Sequence, residues 1–222
     1  MTVIGFIGSG NIGSTVARLA VQAGHEVVLS NSRGPATLQN LASELGPAAR
    51  AATRDEAAAA GELILVSIPL KAYPSLVGVP AGGKVVMDTG NYYGERDGEI
   101  PDIRAKAVTD TGYLLRHLPG AEVVKVFNNI FFKHLLNLAR PAGAADRSFL
   151  PIAGDSQAAK AAVTEFLDSI GYGAADTGSL SESWRQQPGT PVYGTPYGSF
   201  DDERGTPAGE EAIRSALLAA KP

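Results

Sequence analysis

Three glycines at fixed spacing near the amino end of the chain limit its fold more than any other feature. Gly8, Gly10 and Gly13 directly follow residues 2–7, an apolar and largely β-branched run that is typical of a buried parallel strand. Apolar residues at helical spacing come next and stop at Gly24. A strand, a glycine-rich turn and a helix in this order predict the start of a dinucleotide-binding unit.

Each of the three glycines has its own purpose in such a turn. Gly8 permits the tight turn, Gly10 lets the backbone approach a pyrophosphate, and Gly13 allows the helix to lie close to the sheet. The free N–H groups and partial positive charge at the helix start attract phosphate. We therefore predict that the three glycines contact a dinucleotide.

Strand-like and helix-like stretches alternate along the next 150 or so residues. Further strands are predicted at 25–29, 63–68, 84–88, 122–127 and 149–153. Helices are predicted at 36–45, 54–60, 131–138 and 156–170. This alternation predicts an α/β fold with a Rossmann-type doubly wound parallel sheet and right-handed crossovers.

The pattern changes after about Gly178, where prolines and glycines replace the periodic segments until a last amphipathic helix at 208–220. We expect a dinucleotide-binding Rossmann-like domain over residues 1–178. Residues 179–222 then form a small carboxyl-terminal cap of loop and helix that contributes to the substrate cleft.

The end of the second strand indicates which nucleotide is bound. An NAD site places Asp or Glu there to hold the ribose 2′-hydroxyl, but this chain has Ser30, Asn31, Ser32 and Arg33. The hydroxyls and the amide can donate hydrogen bonds, and the Arg33 guanidinium can clamp a 2′-phosphate or stack on adenine. We therefore predict NADP(H), with Asn31, Ser32 and Arg33 as contacts.

Further contacts are expected where other strands end, because open sheets of this kind bind ligands at that edge. These ends carry Ser67, Ile68 and Pro69, then Asn91 with Tyr92 and Tyr93, and then Asn128 with Asn129. Either asparagine of the last pair could instead cap the helix that follows.

Composition and charge exclude several other classes of function. The 222 residues carry a formal charge of -4, which disfavours nucleic acid as a partner. There is no cysteine, and His25, His117 and His134 are too scattered for a metal cluster, so we predict no metal. No basic leader or apolar run of about 20 residues occurs, so we expect a cytoplasmic protein without a membrane partner.

Acid–base and nucleophilic groups are sparse at the predicted strand ends. No serine lies in a GxSxG context, and Tyr92, Tyr93 and Lys106 lack the spacing of a short-chain dehydrogenase pair. Hydride transfer between two redox cofactors needs positioning more than such groups, because the cofactors carry the reactive atoms.

Together these motifs and the stretch Val124-Lys125-Val126-Phe127-Asn128 resemble the NADP oxidoreductases that depend on the deazaflavin coenzyme F420. They also resemble the cytosolic reductase domain of the six-transmembrane ferric reductases. The resemblance implies hydride transfer between nicotinamide and a flavin or F420 ring, usually in a homodimer. It implies that NADP is held by Ser9, Asn11, Ile12, Ser32 and Arg33, with Pro69 and Asn128 near the nicotinamide.

One departure leaves the second, small-molecule redox substrate open. The deazaflavin enzymes carry a histidine and a proline where Asn128 and Phe131 align, and residues 184–191 have no clear counterpart in them. Asn128 would then act by positioning. Trp184 could form a wall of the substrate cleft or anchor the carboxyl-terminal segment, and Tyr193 and Tyr197 could stack on a flat ring or cover the core.

Two other functions remain open on the sequence. The residues from Ile4 to Asn11 also resemble the start of pyrroline-carboxylate reductases, which favours a reductase of small imines or carbonyls. The chain could also bind NADPH as a redox sensor without catalysing a reaction.

Overall fold

Eight strands lie side by side in one sheet in the order β3-β2-β1-β4-β5-β6-β7-β8. The structure is a computed structural model that describes residues 1–221. The strands are β1 (Val3–Ile7), β2 (Glu26–Ser30), β3 (Ala49–Ala51), β4 (Leu63–Val66), β5 (Val85–Asp88), β6 (Glu122–Lys125), β7 (Phe149–Gly154) and β8 (Gly173–Asp176). The first six are parallel to one another, which confirms the doubly wound sheet.

Helices pack against this sheet and at its ends. They are α1 (Asn11–Gln22), α2 (Gln39–Leu45), α3 (Arg54–Ala60), α4 (Gly94–Asp97), α5 (Pro101–Arg104), α6 (Asp110–His117), α7 (Phe132–Asn137), α8 (Gln157–Ser169) and α9 (Glu210–Ala219). Short 3₁₀ helices occur at Pro35–Leu38, Leu70–Leu76, Leu180–Gln186 and Thr195–Tyr197. No helix among residues 1–221 is long and apolar enough to cross a bilayer.

The last two strands run opposite to the first six. β7 pairs with β6 in antiparallel register, with Val124 opposite Gly154 and Lys125 opposite Ala153, whereas β8 is parallel to β7. The sequence predicted parallel strands throughout because α7 looked like a crossover helix. In the structure α7 is only six residues long and packs on α1, so it does not carry the chain back along the sheet.

The segment between β5 and β6 contains three helices that the sequence did not predict. α4 and α5 are four residues each, too short for an apolar period to show, and only α6 is capped by a side chain, that of Thr109. β3 has three residues and was missed for the same reason.

The carboxyl-terminal residues share the main hydrophobic core. Val192, Tyr197 and Ile213 are fully buried in the same cluster as Phe6 of β1 and Val124 of β6. Val192, Tyr197 and Ile213 therefore anchor the carboxyl-terminal segment on the sheet. Pro222, the last residue of the predicted cap, lies outside the described residues.

The centre of the sheet depends on a close approach between β1 and α3. A Cβ atom on Gly5 would lie 2.1 Å from the Ala57 carbonyl oxygen, far inside van der Waals contact. Because both groups belong to buried backbone, neither can move without shifting a whole element.

We therefore expect Gly5→Ala to lower the free energy of unfolding by about 3 kcal/mol, the upper range for overpacking a core. Urea unfolding measures this change. Gly82→Ala is the matched control, because a Cβ atom there would meet only the Pro119 carbonyl oxygen, at 3.9 Å. Equal stability of the two variants would contradict the close packing of β1 on α3.

Candidate functional site

The glycine turn lies where the strand order reverses. β1 has β2 on one side and β4 on the other, and the turn after β1 is bonded to the ends of both neighbours. The Gly8 amide donates to the Ser30 carbonyl at 3.1 Å, and the Ser67 amide donates to the Ile7 carbonyl at 2.8 Å. This is the switch point at which open α/β sheets bind ligands.

The three glycines differ in what surrounds them. A Cβ atom on Gly8, whose φ is +103°, would lie 2.2 Å from the Ser67 carbonyl oxygen, and one on Gly13 would lie 2.3 Å from the Gly8 carbonyl oxygen. A Cβ atom on Gly10 would meet nothing within 4 Å. Gly8 and Gly13 therefore permit close contacts between backbone segments of the protein. Gly10 instead faces open space of the kind that a pyrophosphate needs.

Two cavities meet at this turn. Cavity A is about 580 Å³ and cavity B about 530 Å³, and both are lined by Gly10, Ser67, Ile68 and Pro69. The predicted contacts that line cavity A alone are Gly8, Ser9, Asn31, Ser32 and Arg33. Those that line cavity B alone are Asn11, Ile12, Asn91 and Asn128. Among the other strand-end residues that the sequence singled out, Tyr93 and Asn129 also line cavity B. Gly13 and Tyr92 line neither cavity.

Cavity A ends at a fixed turn that presents a guanidinium. The Asn31 side-chain oxygen accepts from the Arg33 amide at 2.9 Å, and its Nδ2 donates to the Thr37 hydroxyl at 2.9 Å. Arg33 is exposed and its side chain forms no hydrogen bond or ion pair with residues 1–221. A second arginine, Arg54 at the start of α3, also lines this cavity and is held by Asp55. The sequence analysis missed Arg54 because it follows β3, a strand that the sequence did not predict.

Cavity B contains a reciprocal pair of asparagines. Asn91 Nδ2 donates to the Asn128 carbonyl at 2.7 Å, and Asn128 Nδ2 donates to Asn91 Oδ1 at 3.0 Å and to the Gln186 carbonyl at 2.6 Å. Asn128 Oδ1 is buried and has no partner among the described residues. A buried acceptor without a donor is costly, and a bound ligand can supply one.

The position of Asn128 in this asparagine pair depends on a neighbouring residue with a strained backbone. Phe127, directly before Asn128, has a φ of +65°, a conformation that costs a residue with a side chain roughly 1 kcal/mol or more. The Phe127 ring is fully buried and meets Phe166 of α8 edge to face, with the ring centroids 6.4 Å apart. Packing against α8 therefore holds the turn that presents Asn128 and Asn129.

A buried ion pair supports the loop that carries Asn91. Lys125 and Asp88 have no exposed side-chain surface, and their charged groups are 3.5 Å apart. Lys125 Nζ also donates to the Gly90 carbonyl, and Asp88 accepts from the Gly90 amide at 2.9 Å. Asp88 accepts further bonds from Tyr73 Oη at 2.8 Å and Thr111 Oγ1 at 2.7 Å. The amide of Gly90 is thus fixed by the Asp88 side chain, and its carbonyl is fixed by the Lys125 side chain.

Two more buried carboxylates hold the next residues of this loop. Asp110 accepts from the Tyr92 amide at 2.8 Å, and burial raises the pKa of its carboxyl although Lys125 opposes the shift. Asp97 accepts from the Tyr93 amide at 3.0 Å. Burial alone would raise the pKa of Asp97, but its bonds from Arg96 and backbone amides hold it below the ordinary value.

Aromatic rings form the outer wall of cavity B. They are Tyr93, Phe131, Phe132, Tyr193 and Phe200. The hydroxyls of Tyr93 and Tyr193 are hydrogen-bonded to each other across the cavity, and the Arg96 guanidinium lies 4.8 Å over the Tyr93 ring. Desolvation raises the pKa of Tyr193. The sequence analysis named Tyr93 and Tyr193, and it named Phe131 only as a position where the deazaflavin enzymes differ. Phe132 and Phe200 belong to no motif.

Of three other singled-out residues, Asn129 lines cavity B, whereas Tyr197 and Trp184 lie away from both cavities. Tyr197 is buried and donates to the Phe149 carbonyl at 2.7 Å, so it belongs to the core. Asn129 Nδ2 donates to the Val192 carbonyl at 3.1 Å and therefore anchors the carboxyl-terminal segment. Trp184 lines a third cavity. Residues 1–221 contain no group of three His, Asp or Glu side chains placed to hold a metal.

We expect Lys125→Met to lower the free energy of unfolding by about 4 kcal/mol, because it leaves Asp88 as an uncompensated buried charge. Chemical denaturation at neutral pH measures the loss. The double variant Lys125→Met, Asp88→Asn is the control and should recover part of it. A loss below about 1 kcal/mol in the single variant would show that the ion pair does not support this loop.

Comparison with known proteins identifies relatives of this chain. Residues 3–92 match the family model described as NADP oxidoreductase, coenzyme F420-dependent. YjhV of Escherichia coli K12 is 40% identical over 53 residues, a match that spans 24% of this chain and 39% of that protein.

Solved structures extend the likeness over most of the chain. A hypothetical protein of Sinorhizobium meliloti, SMa0349, is 28% identical with a TM-score of 0.75, covering 86% of this chain and 93% of that one. A candidate F420-dependent NADP reductase of Arthrobacter sp. FB24 is 25% identical with a TM-score of 0.68, covering 82% and 87%. An imine reductase of Pseudomonas sp., at 17% identity with a TM-score of 0.58 and covering 88% and 58%, shares the fold. The resemblance to the coenzyme F420-dependent NADP oxidoreductases that the sequence showed is thus confirmed by the family model, over residues 3–92.

Proposed function

We propose that this protein transfers a hydride between the nicotinamide of NADP(H) and a flavin-like or deazaflavin acceptor such as coenzyme F420. The observation that carries the proposal is that cavities A and B adjoin at shared lining residues, among them Gly10, and that aromatic rings wall cavity B. A dinucleotide extended over Gly10 would have its adenosine end in cavity A and its nicotinamide end in cavity B. The rings beside cavity B suit a second flat ring.

The residues around cavity A fit the adenosine half of NADP(H). Gly8, Gly10 and Gly13 with the start of α1 would hold the pyrophosphate, helped by Ser9, Asn11 and Ile12. Asn31, Ser32 and Arg33 would hold the ribose 2′-phosphate, because the Arg33 guanidinium has no partner among residues 1–221 and no carboxylate directly follows β2, where NAD enzymes place one. Ser67, Ile68 and Pro69 lie between the cavities and would contact the middle of the dinucleotide.

The residues around cavity B would orient the reacting rings. NADPH, when bound, supplies the hydride from its nicotinamide ring. Asn128 Oδ1 would accept a hydrogen bond from the carboxamide, since the amide hydrogens of Asn128 are used by Asn91 and Gln186. Asn91 would keep Asn128 in this orientation. The aromatic wall would exclude water from the two rings, so the chain acts by positioning.

Turnover of NADPH tests the proposal. We expect the purified protein to oxidise NADPH, followed by loss of its near-ultraviolet absorbance, with F420, FMN or FAD as acceptor and not without one. The Asn128→Leu variant should keep NADPH affinity within about threefold and lose most of the turnover, about a hundredfold, because positioning is lost. Asn137→Leu, at an exposed asparagine of α7, is the matched control.

Two other outcomes would replace the proposal. Turnover with a cyclic imine and with none of the three acceptors would favour the small imine or carbonyl reductase. NADPH binding without turnover on any acceptor would favour a redox-sensing module.

Nucleotide selectivity is a separate prediction. Arg33→Ala should weaken NADPH binding by about 1 to 3 kcal/mol, the scale of a charge-assisted contact, and should hardly change NADH binding. Calorimetric titration with each nucleotide measures both. Arg50→Ala is the control, because Arg50 is exposed on the neighbouring β3 and lines neither cavity. Equal losses for the two nucleotides would remove Arg33 from the 2′-phosphate site.

A further inference from the structure

A third cavity, cavity C, lies apart from the cofactor edge. It has a volume of about 730 Å³, larger than either cavity A or cavity B, and shares no lining residue with them. One side is the loop between α5 and α6 with the start of α6, and the other is the 3₁₀ helix Leu180–Gln186 with residues 187–190. A volume in this range is ordinary for small-molecule sites.

The walls of cavity C combine a flat ring with apolar side chains. Ile103, Val108, Leu180 and Pro188 supply the apolar surface, and Trp184 supplies the ring. The Arg185 guanidinium lies 4.5 Å over the Trp184 ring and is paired with Glu182 at 2.7 Å. Trp184 is thus held in place by its neighbours while it lines the cavity. Such a wall suits a ligand with a planar apolar body.

The charges at cavity C favour an anion. Lys106 and Lys221 line it, and neither forms an ion pair with any of residues 1–221. The lysines that do form ion pairs there are Lys125, Lys133 and Lys160. The one carboxylate in the lining is Asp155, whose Oδ1 accepts from the Leu180 amide at 2.8 Å. Two ammonium groups against one carboxylate leave a net positive charge.

The backbone at Lys106 gives an independent reason to look for a ligand here. Lys106 has a φ of +52° and ends α5 in a Schellman motif, with its amide bonded to the Ile103 carbonyl and the Ala107 amide bonded to the Asp102 carbonyl. Glycine is the residue that this position favours, because a side chain is strained there. Lys106 is exposed, so packing does not explain its side chain.

We propose that cavity C is a second ligand site, which binds a small aromatic carboxylate or a similar aromatic anion between Trp184 and the ammonium groups of Lys106 and Lys221. This site is independent of the proposed redox function, because none of its lining residues contacts cavity A or cavity B.

Trp184 is the only tryptophan of the chain, so its fluorescence reports directly on cavity C. We would titrate the protein with 4-nitrobenzoate and, in parallel, with the uncharged 4-nitrobenzamide, both of which quench indole emission. We expect saturable quenching by 4-nitrobenzoate, with a dissociation constant about fivefold lower than that for the amide, the scale of an exposed charge contact.

The variants separate ligand binding from folding. Lys106→Gly should weaken 4-nitrobenzoate binding about fivefold, leave 4-nitrobenzamide unchanged, and keep or raise the melting temperature, because glycine relieves the strain at this position. Lys221→Ala should weaken the same ligand alone. Lys71→Ala, at an exposed lysine outside the cavity, should change neither. Linear quenching without saturation, equal affinity for the two probes, or insensitivity to Lys106→Gly would each overturn the proposal.

Discussion

The buried contact between Lys125 and the Gly90 loop is the interaction on which the candidate site depends. Lys125 of β6 reaches across to β5, pairs with Asp88 and bonds the Gly90 carbonyl. Gly90 itself admits no side chain, because a Cβ atom there would lie 1.8 Å from Tyr73 Oη. With Gly90 fixed from below, Asn91 is presented at the strand end, where it orients Asn128. The buried ammonium group of Lys125 thus determines the positions of the Asn91 and Asn128 side chains, although burying a charge is costly.

The segment that follows β8 completes the site from the other side. The Gln186 carbonyl accepts from Asn128 Nδ2, and Tyr193 bonds Tyr93 across cavity B. Residues 187–190, between these two contacts, line cavity C. Residues 186–193 therefore contribute to cavity B, the proposed nicotinamide pocket, and to cavity C, the proposed anion pocket.

The sequence predicted the parts of the site that depend on local backbone chemistry. The spacing of Gly8, Gly10 and Gly13 reflects contacts within a few residues, and polar residues at the ends of parallel strands meet because the strands do. The aromatic wall could not be predicted in this way. Phe131 lies at the start of a predicted helix and Tyr193 in a segment without a regular period, and only the packing of the carboxyl-terminal residues on β7 brings them together. The reversed direction of β7 was missed because it depends on where α7 packs, which is a tertiary property.

Phe127 and Lys106 are the two residues other than glycine in residues 1–221 with a positive φ, and each stands beside a cavity. They differ in what offsets the strain. Phe127 is fully buried against α8, so hydrophobic packing compensates for its backbone and the strained turn is stable. Lys106 is exposed at the end of a four-residue helix, where no comparable packing exists. Strain at Phe127 is therefore offset by hydrophobic packing, whereas strain at Lys106 is offset by the backbone hydrogen bonds of the Schellman motif, which leaves the Lys106 side chain available to cavity C.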